Sequence, residues 1–294
     1  MRFPVFAAAL LALGSACVDA QPPRPLVLLV HGRGHLGDDT SSLRREWKRH
    51  LDTALTRAGA VALRDEDVKL AWYADVMDPS AEVSCANGTT ISRDSLGFEA
   101  FARDFLGSLA SALPSDEARG ARTLLGDMLY ALDGSRRCAA EQRVREMLAQ
   151  AKQQRRPVVI VAYSLGALVT YGVLDDASPL RDERLALVTV GSPLGDGDIR
   201  ALLGVSPDSI IMPPGVARWE NVYDPGDVFA SPLADIVRGG GVNDVELSTR
   251  GADAVEAHFV DRYLRDKATG EALLRALCVV GGFDARSCAA QKTS

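Results

Sequence analysis

Short, uninterrupted apolar runs alternate along the chain with longer segments in which apolar residues recur every three or four positions. The runs 26–30, 158–162 and 185–190 consist almost entirely of apolar residues, many of them β-branched. Such runs are typical of strands that are buried on both faces of a parallel sheet. The alternation predicts an α/β fold, with a mostly parallel central sheet and helices on both of its faces.

Helices are predicted in four segments. Residues 43–58, 141–154 and 271–280 place apolar side chains on one face, whereas 165–174 consists almost wholly of small and apolar helix-forming residues. In contrast, residues 231–257 contain three consecutive glycines and no apolar period, and we interpret them as loop.

The composition is sufficient for one large folded domain and argues against nucleic-acid binding and a metal or nucleotide cofactor. The chain has 294 residues, of which 47% are hydrophobic, which is enough for one large α/β domain without requiring a second. Its formal net charge is −6 and it has no block of basic residues, so we do not expect it to bind nucleic acid. It has no H-E-x-x-H or Cys-x-x-Cys pattern and no glycine-rich phosphate loop, so no metal or nucleotide cofactor is implied.

Residues 1–20 have the pattern of a secretory signal peptide. Arg2 precedes an apolar stretch, 3–16, that is too short to span a bilayer comfortably, and small residues then suggest cleavage before Gln21. The mature chain would be residues 21–294, located outside the cell or in a periplasm. A lipoprotein anchored at Cys17 and an uncleaved, membrane-tethered N-terminus are minority alternatives.

Four cysteines remain after this cleavage, and an even number in an exported chain favours two disulfides. Cys278 and Cys288 flank a short segment containing two glycines and would form a local link. Cys85 and Cys138 would then bracket the middle of the chain. Three pairings are possible, and the sequence alone does not choose among them.

Ser164 lies between the apolar run 158–162 and a segment of helix-forming residues. Ser164 has Ala162 two positions before it and Gly166 two positions after it. Small residues leave room for a strand that reverses directly into a helix, and the first amide groups of that helix would favour a developing anion. The spacing is the nucleophile-elbow pattern G-x-S-x-G with alanine in the first position. A buried turn whose serine caps the helix is the alternative.

Three further segments carry polar groups that fit this pattern. His31-Gly32-Arg33 directly follows the first apolar run, and glycine there permits a sharp turn. A later strand ends in Asp224-Pro225-Gly226-Asp227, and His258 is the one histidine that follows these acids. Each has a structural alternative, since acids, proline and glycine dominate ordinary turns and a lone histidine is more often structural.

Together these motifs resemble the α/β-hydrolase superfamily, in particular bacterial secreted lipases and esterases. The resemblance implies a carboxylic-ester hydrolase without a cofactor, in which Ser164 is the nucleophile, Asp227 the acid and His258 the base, in the order of that superfamily. Asp224 is the alternative acid. The backbone N–H groups of Arg33 and Leu165 would form the oxyanion hole.

The substrate would then be a small-molecule or lipid ester. Acyl transfer or amide cleavage by the same triad, and a non-catalytic binding protein on the same scaffold, are alternatives that the sequence leaves open. Oligomeric state is also left open.

Residues 75–135 depart from the alternation of strands and helices. Turn residues come first, and two strongly apolar helical patterns follow, in 96–113 and 124–132. We interpret this insertion as a helical cap over the active-site end of the sheet. Its helices would either pack on the core, which apolar helical stripes usually indicate, or form a lid that meets lipid or an acyl chain.

Overall fold

The structure is a computed structural model that describes residues 22–78, 81–85, 130, 133–175, 184–202, 208–248 and 253–291. The predicted signal peptide, including Cys17, lies outside these residues. Most of the predicted cap, 75–135, also lies outside them, including both of its apolar helical patterns. Both interpretations therefore stay predictions.

A six-stranded parallel sheet forms the centre of the described part of the chain, in the order β2-β1-β3-β4-β6-β8. The predicted α/β fold is confirmed. A separate pair of short parallel strands joins β5 to β7. The strands are β1 Leu26–Val30, β2 Val68–Ala71, β3 Val158–Tyr163, β4 Leu185–Val190, β5 Ile210–Ile211, β6 Val216–Tyr223, β7 Val237–Arg238 and β8 Val242–Glu246.

Helices cover both faces of the sheet. Their bounds are α1 Thr40–Arg57, α2 Gly134–Gln153, α3 Leu165–Asp175, α4 Gly197–Leu202, α5 Ala254–Ala257, α6 Val260–Arg265, α7 Lys267–Val280 and α8 Ala285–Gln291. One apolar cluster joins the sheet to α2 and α3, for example through Val144 and Leu168. The cluster on the other face joins it to α1 and α7, for example through Trp47 and Leu277. The continuous apolar strands are buried because both of their faces are covered.

The sheet has a topological switch point between β1 and β3. From β1 the chain adds β2 on one side, then crosses back and adds β3 on the other. The register pairs Val30 with Ala162, so these two strands end at the same level. Crevices beside the carboxyl ends of parallel strands at such a point are where ligands bind in open α/β sheets. The H-G-x turn and the serine elbow therefore lie side by side.

The structure differs from the sequence prediction in several boundaries. The interpretation of 231–257 as loop is wrong, because β8 adds the sixth strand there and β7 and α5 also form. Helix α2 begins at Gly134 rather than at Glu141, since the Asp133 carboxylate caps it by accepting from the amides of Ser135 and Arg136. Helix α7 begins at Lys267, and α8 follows it.

Both disulfides favoured by the sequence are present, Cys85–Cys138 and Cys278–Cys288. The first ties the early part of the predicted cap segment to α2, and the second ties α7 to α8. Disulfides persist in oxidising compartments, so they are compatible with an extracellular location. Within the described ranges, no helix has the length and hydropathy needed to cross a bilayer.

Helices α1 and α7 are in close contact at Gly270. A Cβ built on Gly270 would lie 2.1 Å from the carbonyl oxygen of Ala54 in α1, which is far inside a van der Waals contact. We expect Gly270→Ala to lower the free energy of unfolding by about 1–3 kcal/mol, as overpacking does, despite the gain in helix propensity. Urea unfolding followed by circular dichroism measures this loss. Gly241→Ala is the control, because no heavy atom lies within 4 Å of its built Cβ. Equal stability of the two variants would contradict the expectation.

Candidate active site

Ser164 occupies a strained turn between β3 and α3. Its backbone φ is +51°, in the left-handed region that few residues other than glycine adopt. The Ser164 amide donates to Val190 O (3.1 Å), and its carbonyl accepts from the Ala167 amide (2.9 Å), so the turn is held from both sides. A strained backbone at the serine between a strand and a helix is the geometry that the elbow pattern predicts.

Small residues allow the elbow to approach the end of β1. A Cβ built on Gly166 would lie 2.4 Å from the carbonyl oxygen of Val30. A Cβ built on Gly32 would lie 2.7 Å from Cδ1 of Tyr163 and 3.2 Å from Cβ of Ser164. Neither position has room for a larger residue, so both glycines are required by packing against the neighbouring strand end.

The structure brings the three predicted triad side chains together. Nε2 of His258 lies 3.0 Å from Oγ of Ser164, and its Nδ1 lies 2.7 Å from Oδ2 of Asp227. An ionised carboxylate can only accept a hydrogen bond, so Nδ1 carries the proton and Nε2 is left to accept from the serine hydroxyl. The imidazole side chain is 20% exposed and the carboxylate is fully buried, so a ligand can reach the ring but not the acid.

The geometry distinguishes the two candidate acids. Asp227 follows β6 and contacts His258 directly. Asp224 is also buried, but its Oδ1 accepts from the Gly226 amide (2.8 Å) and its Oδ2 lies 3.6 Å from the guanidinium of Arg262. Asp224 therefore shapes the turn that presents Asp227, as an aspartate at the start of a turn commonly does.

Tyr263, in α6, supports this turn, and no motif in the sequence pointed to it. Its hydroxyl donates to Oδ2 of Asp227 (2.7 Å), the same oxygen that accepts from His258. The phenol oxygen also accepts from the Asp224 amide (3.0 Å). Burial, and then the negative charge of Asp227, raises the pKa of Tyr263 well above its usual value, so the phenol keeps the proton that it donates.

Two further aromatic residues fix the imidazole. The hydroxyl of Tyr163, which directly precedes the nucleophile, donates to the backbone carbonyl of His258 (2.5 Å). The ring of Phe229 packs edge-on against the imidazole, with 4.9 Å between the ring centroids. Tyr163 and Phe229 lie within two residues of Ser164 and Asp227 in the sequence, which was the one hint that they belong to the site. Their contacts with His258 are seen only in the folded structure.

The two predicted oxyanion donors lie on the segments that follow β1 and β3. Leu165 is the first residue of α3, and its amide precedes the first intrahelical bond of that helix. Arg33 directly follows Gly32, and a Cβ built on Gly32 would lie 3.2 Å from Cβ of Ser164. One predicted donor is thus next to Ser164 in the chain, and the other follows a residue that packs beside it.

Comparison with known proteins does not assign the chain to a family. No family model matches the chain, and no curated protein matches it. The parallel sheet with helices on both faces is compatible with an α/β hydrolase, but one fold serves many functions. An assignment of function therefore depends on the geometry of the site.

One other cluster in the described part of the chain could supply three atoms to a metal. Side-chain atoms of Glu46, His50 and Asp261 lie within 4.8 Å of one another. The guanidinium of Arg265 lies 2.7 Å from Nε2 of His50 and can only donate, so the other ring nitrogen, Nδ1, carries the proton. A protonated Nδ1 offers no lone pair to a metal, and we assign none to this cluster.

His31 holds the turn that carries Arg33. Its Nδ1 donates to the Gly32 carbonyl (2.6 Å), and its Nε2 accepts from the Tyr73 amide (3.2 Å). The imidazole also stacks on the Tyr73 ring, with centroids 4.1 Å apart. Burial lowers the pKa of His31 to about 3, so the ring stays neutral in the folded protein.

This histidine should make stability depend on pH. Between its unfolded pKa of 6.5 and its folded pKa of about 3, the unfolded chain binds more protons, so stability falls as pH falls through that window. At pH 5 this single group should cost about 2 kcal/mol relative to pH 7. Urea unfolding at both pH values should show the loss in the wild type and a smaller loss in His31→Gln. His35→Gln, at a less buried ring, should keep the wild-type loss. The same loss in His31→Gln as in the wild type would contradict this role.

Proposed function

We propose that the protein is an exported serine hydrolase that cleaves carboxylic esters through an acyl-enzyme. The hydrogen-bonded series from Ser164 through His258 to Asp227 is the observation that carries the proposal. It supplies a nucleophile, a base and a group that orients the base, which is the recurring constellation of serine hydrolases on several folds. The lipase and esterase branch of the α/β hydrolases is the type that the motifs resemble.

The reaction begins with Ser164. A hydroxyl is too weak an acid to form an alkoxide unaided, so Nε2 of His258 accepts its proton as Oγ attacks the acyl carbon. Asp227 keeps the imidazole in the required tautomer and stabilises the cation that forms. His258 then returns the proton to the alcohol that leaves. Water, activated by the same imidazole, releases the acid from Ser164 in the second half of the reaction.

The negative charge of the tetrahedral intermediate needs donors that are already in place. In this proposal the amides of Leu165 and Arg33 donate to that oxygen from the two neighbouring strand ends. Loss of one such donor typically raises the barrier by about 3 kcal/mol. Acyl transfer to a second alcohol would use the same acyl-enzyme, with the alcohol in place of water.

The proposal is tested with a fluorophosphonate probe and mass-spectrometric mapping of the modified residue. We expect labelling at Ser164, hydrolysis of p-nitrophenyl acetate, and loss of both in Ser164→Ala. Asp227→Asn should reduce turnover by about 10⁴-fold, because the imidazole would lose its required tautomer. Asp224→Asn is the matched control and should reduce turnover far less.

Labelling that persists in Ser164→Ala would refute the nucleophile. A collapse of turnover in Asp224→Asn, with little change in Asp227→Asn, would reverse the assignment of the acid.

Tyr263 should act as a positioning residue for the acid. Without its hydroxyl, Asp227 loses a donor, and its charge would hold a proton on His258 more strongly. We expect the acid limb of the pH profile of kcat/KM to move up by about one pH unit in Tyr263→Phe, as a lost hydrogen bond to a charged group permits. Tyr171→Phe is the control, since that hydroxyl donates to the Ile211 carbonyl. A lower rate with an unmoved profile would indicate only a structural role.

A further inference from the structure

A cavity of about 290 Å³ lies beside the loop that carries Asp227. Residues 228–231 form one wall, and Gly195, Asp196 and Ile199 form the other. The second wall lies just beyond the end of β4, the strand next to β3 in the sheet. The cavity therefore belongs to the same edge of the sheet as the triad.

One aromatic residue, Phe229, borders both this cavity and the imidazole. Phe229 lines the cavity and also packs edge-on against His258, at 4.9 Å between ring centroids. The Phe229 amide donates to Oδ1 of Asp227 (2.9 Å), so the backbone that carries the ring is tied to the acid. The cavity is thus held at a fixed place on the imidazole side of the site.

The chemistry of the proposed reaction assigns a ligand to that side. His258 must give its proton to the oxygen of the departing alcohol, so the alcohol part of an ester lies against the imidazole while the acyl part is bonded to Ser164. We propose that the cavity binds the alcohol part of the substrate, an assignment that rests on the proposed function. Phe229 then contacts both the bound alcohol part and the imidazole.

The walls indicate which alcohols would fit. Ile199, Val228 and Ala230 are apolar, and Val228 is 59% exposed, so the apolar surface can be reached from solvent. The Oδ1 atom of Asp196 already accepts from the amides of Asp198 and Ile199 (2.8 and 3.1 Å) and is occupied in capping α4. Ligand pockets usually measure about 300–1,000 Å³, so this one suits a short alkyl alcohol rather than a long chain.

Two series of esters separate this pocket from the acyl site. Acetates of methanol to hexanol share one acyl-enzyme and differ only in the alcohol, whereas p-nitrophenyl acetate to hexanoate differ only in the acyl group. Ala230→Leu should narrow the cavity and lower the ratio of kcat/KM for butyl over methyl acetate by about tenfold or more, the usual effect of a group that no longer fits. The ratio for p-nitrophenyl butyrate over acetate should keep its wild-type value.

Two other variants complete the test. Ile199→Val widens the same cavity with little risk to folding and should shift the preferred alcohol towards longer chains. Ala289→Leu is the matched control, because Ala289 is exposed in α8 and lines neither wall of the cavity. It should leave both ratios unchanged.

The outcomes distinguish this assignment from the proposed function. If Ala230→Leu and Ile199→Val keep ester turnover and the wild-type kcat/KM ratios for the alcohol series, the assignment of the cavity to the alcohol part is wrong, while the proposed function still holds. A change confined to the acyl series would reassign the cavity to the acyl part and also overturn it. Absence of both probe labelling and ester turnover in the wild type would overturn the proposed function, and the pocket with it.

Discussion

The parallel register of β1 and β3 is the constraint on which the site depends. Because Val30 and Ala162 are paired, the turn after β1 and the elbow after β3 leave the sheet at one level. Contact between them leaves no space for side chains at Gly32 and Gly166. The amide-bearing turn and the nucleophile are therefore held by the most buried strands of the molecule, where local motion is most costly.

Local patterns were sufficient to predict the central strands and the three side chains that meet at the site. The strands β1, β3 and β4 have continuous apolar runs, because both of their faces are covered. The elbow could be predicted from sequence because the close packing around it requires small residues within two positions of Ser164. Ser164, Asp227 and His258 were grouped because their order matches that of the α/β hydrolases, and the choice of Asp227 over Asp224 also followed from that resemblance.

The remaining features depend on contacts between distant segments. Strand β8 is a partly exposed edge strand of mixed polarity, and only its pairing with β6 makes it a strand. Tyr263 and Phe229 have ordinary places in a helix and a loop, and their importance arises from the atoms that they meet across the fold. A carboxylate oxygen that serves both an imidazole and a phenol cannot be inferred from spacing along the chain.

The left-handed backbone at Ser164 has an evolutionary consequence. Glycine adopts that conformation freely, whereas serine is strained there by an amount on the order of 1–3 kcal/mol. Drift under selection for folding alone would thus tend to replace the residue. A serine at this position therefore lowers the stability of the fold, and a requirement for its hydroxyl in function would account for that cost.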